Sequence, residues 1–245
     1  MSTAPQTPQQ ELKRRTRRGF LTLGAGAVAG YAGWHSLRAS MDGDQLPPRF
    51  RQILEFNEGV ARRITPPRAL ARTFARSAAA TPRPNGDEGL AGPLDLASYR
   101  VRLEGLTSGP RDLSLQELRA LPAVEMTTEL MCVEGWSQVV NWTGIRVADL
   151  ARSFGAKRTE YVSMATPDKG YYVGLDSESA LHPQSLLAYQ MNGAPLDAAH
   201  GAPLRLVIPV KYGIKNIKRV GSIRFMDERP ADYWAEQGYD WYAGL

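Results

Sequence analysis

A single cysteine in 245 residues, Cys132, sets the terms on which this chain can fold. With no second thiol there is no internal disulfide, no four-cysteine iron–sulfur cluster, no cysteine-rich zinc site and no haem attached through a CxxCH pair. Stability must come from a hydrophobic core. The length suffices for one good-sized domain and a short extra segment, since domains run to roughly 100–200 residues. Any redox chemistry must be brought in by a bound group.

Charge is unevenly placed. Of 30 Lys and Arg residues and 25 Asp and Glu residues, six cations (Lys13, Arg14, Arg15, Arg17, Arg18, Arg38) and one anion (Glu11) fall in residues 1–40. The rest of the chain is balanced, which removes the main reason to expect a nucleic-acid partner. The front end reads TRRGFLT at 16–22, followed by an uncharged run from Phe20 to Trp34. Paired arginines ahead of a modest apolar stretch form a twin-arginine export signal. The run falls short of the roughly 20 residues that span a bilayer comfortably, and Gly24, Gly26, Gly30 and Gly33 would weaken a soluble helix. No small-x-small cleavage site follows, so the segment could stay as a membrane anchor. The twin-arginine machinery carries folded cargo, so the signal predicts a periplasmic protein that receives a cofactor before export.

Behind this segment (residues 1–40) the pattern predicts a helical lead-in over 41–84 that wraps the main domain. Ile53, Leu54, Phe56, Val60 and Ile64 are spaced for one apolar face before Pro66 and Pro67 break the helix. Residues 81–93 (TPRPNGDEGLAGP) read as a loop. Strands are predicted from Tyr99 to Leu103, Val124 to Cys132, Tyr161 to Ala165, Tyr171 to Leu175 and Leu204 to Ile208. Ser114 with Glu117 makes a capping box, another short helix falls near Val147 to Phe154, and Asn192-Gly193 is a turn. Strands and helices mix without strict alternation, so the fold class is α+β, with a main domain over 85–245.

Two constellations could carry chemistry. Cys132 ends an apolar strand and opens CVEGWS, which reads as a turn leaving the sheet. Taken alone it could be a small buried hydrophobe, a nucleophile, or one ligand of a soft metal whose other ligands a cofactor supplies. The second, HGAPLRLVIPVKYGIKNIKR from His200 to Arg219, sets Arg205 inside an apolar strand. Lys211, Lys215, Lys218 and Arg219 then surround Gly213 and Asn216. Cations around a glycine-turned loop suit a phosphate, or equally a solvated basic face. Asn85 to Gly89 and Thr166-Pro167-Asp168 are polar turns.

In order and spacing these pieces resemble the molybdopterin-binding domain of the sulfite oxidase family, and within it the periplasmic methionine-sulfoxide reductases. CVEGWS at 132–137 and HGAPLRLVIPVKYGIKNIKRVGSI at 200–223 carry most of the resemblance, which spans 85–224. It implies a molybdenum-molybdopterin cofactor whose metal is bound by the Cys132 thiolate. By the same carry-over Asn85, Glu88, Gly89, Thr166, His200 and Arg205 would hold the pterin and its phosphate, with Asn216, Ile217 and Lys218 contributing backbone and charge. It further implies oxygen-atom transfer fed by a membrane haem or quinol-linked subunit, with a small or protein-borne sulfoxide as substrate. Sulfite oxidation is the rival within the chemistry, and a non-catalytic exported protein the rival outside it. His200 stands where the nearest relatives can have asparagine. Neither an immunoglobulin-like dimerisation domain nor a haem domain follows Arg224, so a monomer is expected.

Overall fold

The computed structural model describes residues 8–39, 48–64, 69–80, 83–92 and 95–245. It divides into two compact units, Met1–Gln52 and Ile53–Leu245. The first contains helix α1 (Pro8–Ala39). Its glycines do not interrupt it, although each costs about 1 kcal/mol against alanine; the alanines and leucines between them carry the helix through. Leu21, Leu23, Val28, Tyr31 and Trp34 are exposed. The side chains of Arg17 and Arg18 lie outside the described residues. No described helix is long and apolar enough to cross a membrane.

Helix α2 (Pro48–Ile64) corrects the expected lead-in twice. First, its apolar face does not wrap the domain. Ile53, Phe56, Val60 and Ile64 are exposed, whereas Glu58 is buried and accepts a 2.7 Å hydrogen bond from Arg229. Second, residues 69–80, expected to belong to the helical lead-in, are not α-helical. Phe74 N–H donates to Thr127 O at 3.0 Å and Thr73 bridges Thr128, with one 3-10 turn at Arg76–Ala78. An outer strand leaves unpaired N–H and C=O groups along its edge, and this extended segment meets them.

The second unit is built on two five-stranded sheets. Strands β1 (Arg100–Glu104) and β2 (Arg111–Ser114) are followed by α3 (Leu115–Arg119), and β3 (Ala123–Met131) and β4 (Ser137–Arg146) by α4 (Val147–Ser153). Then come β5 (Tyr161–Ala165), β6 (Tyr172–Asp176), α5 (Ser177–Ala180), β7 (Leu186–Met191), β8 (Ala194–Pro195), β9 (Arg205–Val207), β10 (Ser222–Met226) and α6 (Tyr233–Glu236). One sheet has the order β2-β1-β10-β5-β6, with β1 and β10 parallel; the other runs β3-β4-β7-β8, with β9 also pairing β7. This is the mixed α+β architecture expected. The capping box at α3 forms, with Glu117 N–H donating to Ser114 Oγ and the Glu117 carboxylate accepting from Ser114 N–H. Asn192 and Gly193 both take positive φ in the tight turn between β7 and β8.

The main core lies where the sheets face each other, and alternation decides which side chains enter it. Leu204 and Leu206 of the β9 segment, Leu187 of β7 and Ile145 of β4 point into it together with Val101, Leu103, Val162 and Ile223 from the other sheet. The opposite face of β4, β7 and β9 carries a smaller cluster, Val140, Trp142, Leu186, Ala188, Met191 and Val207. That second face is the floor of the site described next.

Candidate functional site

Cys132 follows the last residue of β3. Its N–H donates to Trp136 O at 2.9 Å and its carbonyl accepts from Gly135 N–H at 3.1 Å, so the run CVEGWS is a tight hairpin. Gly135 takes φ 85°, a region that suits glycine. The turn therefore returns into the same sheet as β4 instead of leaving it. The half-buried thiol opens on a cleft of about 230 Å³. Burial pushes its pKa up, and the Glu134 carboxylate adds to this against a hydrogen bond from the Glu134 backbone. The Trp136 indole N–H donates to Glu134 Oε2 at 2.8 Å and fixes that carboxylate.

The basic wall is built by β9 and the segments on either side of it. Because Leu204 and Leu206 take the core positions, Arg205 must point to the other face, where its guanidinium lies 4.9 Å over the Trp142 ring. It is 5% exposed, donates to His200 O at 3.1 Å and Asn216 O at 3.2 Å, and leaves Nε without a partner. No described carboxylate pairs with it, and burial alone draws its pKa down to about 10. His200 is also buried. Its Nδ1 lies 2.7 Å from Asp197 Oδ1, and its Nε2 is unpartnered. The Asp197 carboxyl stays below its usual value: burial pushes it up, but hydrogen bonds from the His200 ring and backbone outweigh that. A carboxylate can only accept, so Nδ1 carries the hydrogen and Nε2 is the atom free for a ligand.

Lys218 reaches across the cleft and donates to Asn85 O at 2.8 Å and Gly86 O at 2.7 Å. Burial, with repulsion from Arg205, lowers its pKa to about 8. This clamp brings the Asn85 side-chain nitrogen to 3.9 Å from Cys132 Sγ. Arg219, with φ 48°, supports the same loop by donating to Leu90 O at 3.2 Å. Asn216 braces the wall from behind: its Oδ1 accepts from Ile208 N–H at 2.8 Å and its Nδ2 donates to Tyr212 O at 3.2 Å.

Of the residues singled out in the sequence, Asn85, Glu88, Cys132, His200, Arg205, Asn216 and Lys218 line one cleft. Gly89, Thr166 and Ile217 stand behind the wall. Gly89 packs so closely on Thr166 that a Cβ there would lie 2.3 Å from Thr166 Cγ2, so the pair joins the front loop to the end of β5. The Thr166 hydroxyl donates to Asp168 at 2.5 Å and accepts from Tyr171 N–H at 3.1 Å. Ile217 is fully buried in the core, its N–H bonded to Lys215 O and its carbonyl to Leu206 N–H. Lys211 and Lys215 correct the reading of the basic loop. Both point away from the cleft into buried ion pairs, Lys211 with Asp176 at 3.3 Å and Lys215 with Asp232 at 2.5 Å. Those carboxylates sit far from the lysines in sequence, so the charge run looks solvated until the chain is folded.

Sequence reasoning missed the mouth of the cleft. Arg83 lines it with its guanidinium 4.8 Å over the Trp136 ring, and Tyr171, Trp234 and Tyr239 close the side supplied by β6 and α6. An edge-to-face contact at 5.2 Å holds Trp234 against Tyr239, and the Tyr171 hydroxyl donates to Ile214 O at 2.5 Å. Trp234 and Tyr239 lie about a hundred residues after Cys132, and nothing local in the sequence places them beside it.

These residues fit the cofactor. A buried guanidinium without a counter-ion and, beside it, a lysine whose charge is disfavoured by burial and by that cationic neighbour together lack an anion. A phosphate supplies it with charge-assisted hydrogen bonds. The thiol offers one soft ligand, and no group of three His, Cys, Asp or Glu residues able to hold a metal unaided exists among the described residues. Cys132 would hold molybdenum only together with a group that brings further ligands, as a pterin dithiolene does.

Residues 90–234 match the oxidoreductase molybdopterin binding domain. The chain is 34% identical over 211 residues to a putative protein-methionine-sulfoxide reductase subunit of Azospira oryzae, covering 84% of this chain and 80% of that protein. It is 38% identical over 157 residues to the protein-methionine-sulfoxide reductase catalytic subunit of Xanthomonas campestris pv. campestris, covering 58% of this chain and about half, 49%, of the relative. In fold it is similar to the sulfane dehydrogenase of Paracoccus pantotrophus, with TM-score 0.53 and 22% identity over 67% of this chain and 46% of that one. With the domain matched over more than half its length and with the cleft it needs, the chain belongs to the oxidoreductase molybdopterin-binding family and is a molybdenum-cofactor oxidoreductase.

Proposed function

We propose that this protein is an exported reductase that removes oxygen from sulfoxides, with methionine sulfoxide, free or in proteins, as substrate. The observation that carries the reading is the wall around the Cys132 thiol. Glu134 is the charged residue next to it, and Trp136, Tyr171, Trp234 and Tyr239 form the open side. Arg205 and Lys218 face the position of the pterin phosphate, which leaves Arg83, itself laid over Trp136, as the cation at the mouth. A sulfite dianion calls for several cations at that point. A neutral sulfoxide with an apolar methyl and a polarised oxygen suits aromatic faces and one hydrogen-bond donor. The names of the relatives from Azospira and Xanthomonas point to the same substrate.

In this reading Cys132 holds the metal, which when bound supplies two-electron oxygen-atom transfer. The protein's own work is positional. Lys218 and Arg219 pin the 85–92 loop over the cleft, Arg205 fixes the anionic end of the pterin, His200 presents Nε2 as an acceptor to the bound group, and Asn85 stands beside the sulfur. The aromatic mouth limits water and orients the sulfoxide oxygen inward. Electrons then come from a membrane haem or quinol-linked subunit, and the Arg17-Arg18 signal directs the folded protein to the periplasm.

The test uses protein purified from a host that makes molybdopterin, assayed with a reduced viologen donor and methionine sulfoxide and, separately, with sulfite and an oxidant. Turnover of the sulfoxide with little sulfite oxidation is the expected result; the reverse overturns the substrate assignment.

A further inference from the structure

Trp142 is an unexpected residue for the floor of the cleft. It stands on β4 among Val140, Leu186, Met191 and Val207, where a phenylalanine would pack without bringing in a polar atom. It lines the cleft, is 2% exposed, and its indole Nε1–H has no partner. A buried indole N–H ordinarily finds an acceptor, and a donor left without one keeps the whole cost of its desolvation. Two other tryptophans follow the rule: Trp136 donates to Glu134 Oε2 at 2.8 Å and Trp241 to Pro230 O at 3.0 Å. The backbone cannot carry the Trp142 indole out to water, because β4 is paired on both sides here, with Trp142 in register with Met126 of β3 and Met191 of β7.

The neighbour of the indole identifies the missing acceptor. The Arg205 guanidinium lies 4.9 Å over the Trp142 ring, a cation–π contact that fixes the two groups relative to each other. Nη1 and Nη2 of Arg205 are engaged by the His200 and Asn216 carbonyls, and Nε is left without a partner. Two buried donors, one cationic and one neutral, are therefore unsatisfied at one place on the cleft floor. An anion with several acceptor oxygens satisfies both at once. A metal bound to Cys132 or an apolar group satisfies neither. We propose that Trp142 is a phosphate ligand of the cofactor, its indole N–H donating to an oxygen of the molybdopterin phosphate beside Arg205. The inference rests on the cofactor and is the same whether the substrate is a sulfoxide or sulfite.

Proton–nitrogen NMR of the indole groups tests it in the cofactor-free full chain, with the Trp142 signal assigned by triple-resonance spectroscopy and pyrophosphate as the probe. At saturation the Trp142 indole proton is expected to move downfield, as on forming a hydrogen bond to an anion, while that of Trp241, already bonded to Pro230 O, stays in place. Trp142→Phe keeps an aromatic face under Arg205 and loses the N–H. Its affinity for pyrophosphate, measured by calorimetry, should fall at least about tenfold, and its content of molybdopterin after washing should fall with it. A tryptophan that only packs would lower thermal unfolding in this variant and leave the affinity unchanged. Should the variant fail to fold, the spectrum of the parent decides alone. A Trp142 proton that does not move at saturating pyrophosphate overturns the proposal, as does a folded Trp142→Phe that binds as tightly as the parent. Failure of pyrophosphate to bind the parent overturns it together with the phosphate role of Arg205.

Discussion

Arg205→Met separates a cofactor anchor from a structural arginine, because the structure gives the two roles opposite signs. In the cofactor-free protein the guanidinium is a buried cation with no carboxylate partner and an orphaned Nε. Effective desolvation of such an ion costs several kcal/mol. Methionine has similar length and removes that cost, but it strands the His200 and Asn216 carbonyls, at about 1–3 kcal/mol each. The terms largely cancel, so the cofactor-free variant should unfold within about 6 °C of the parent, taking 2–4 °C per kcal/mol for a unit of this size. With the cofactor, two charge-assisted bonds to a phosphate are lost at about 1.5–3 kcal/mol each. The combined 3–6 kcal/mol lowers affinity by about two to four orders of magnitude. The assay is molybdenum and pterin content per chain after a standard wash, beside thermal unfolding of both forms. A variant that unfolds far below the parent without cofactor, yet retains it equally well, would refute the reasoning and make Arg205 a structural residue.

Lys218 gives a pH-dependent test. Its folded pKa of about 8 lies below the ordinary lysine value, so between about pH 8 and 10.4 the unfolded chain binds more protons and this residue makes stability rise with pH. Binding of pyrophosphate to cofactor-free protein requires the charged form; it should weaken as pH rises through 8, and Lys218→Met should flatten that dependence in calorimetric titration. A separate check concerns the scaffold alone. Ser114→Ala removes the α3 capping box and should lower stability by about 1 kcal/mol in denaturant melts, with cofactor content unchanged.

Much of the site could be read from residues because its chemistry sits in two short runs. The end of the apolar strand located Cys132, and the arginine set among apolar residues of β9 located Arg205, although alternation alone would have left that guanidinium outward. It is in fact buried, because Trp142 and the chain at His200 and Asn216 pack around it on the second face of the sheet. What could not be read depends on long-range neighbours. β4 has no clean period of two, since Val140, Asn141 and Trp142 are buried in succession under cover on both faces, and β7 is buried on both faces over its first three residues. Lys211 and Lys215 looked like phosphate ligands because Asp176 and Asp232 are remote in sequence. Tyr171, Trp234 and Tyr239 reach Cys132 only after the two sheets have closed. The outward stripe of α2 was visible as periodicity, but periodicity does not say which way a helix faces.

The most direct test of the account is the molybdenum content of protein made in a molybdopterin-producing host, measured by elemental mass spectrometry beside Cys132→Ser. The account predicts about one metal per chain in the parent and a folded variant that has lost most of it. A well-folded parent without molybdenum, or a serine variant that retains it in full, would contradict the assignment of Cys132 as the metal ligand of this cleft.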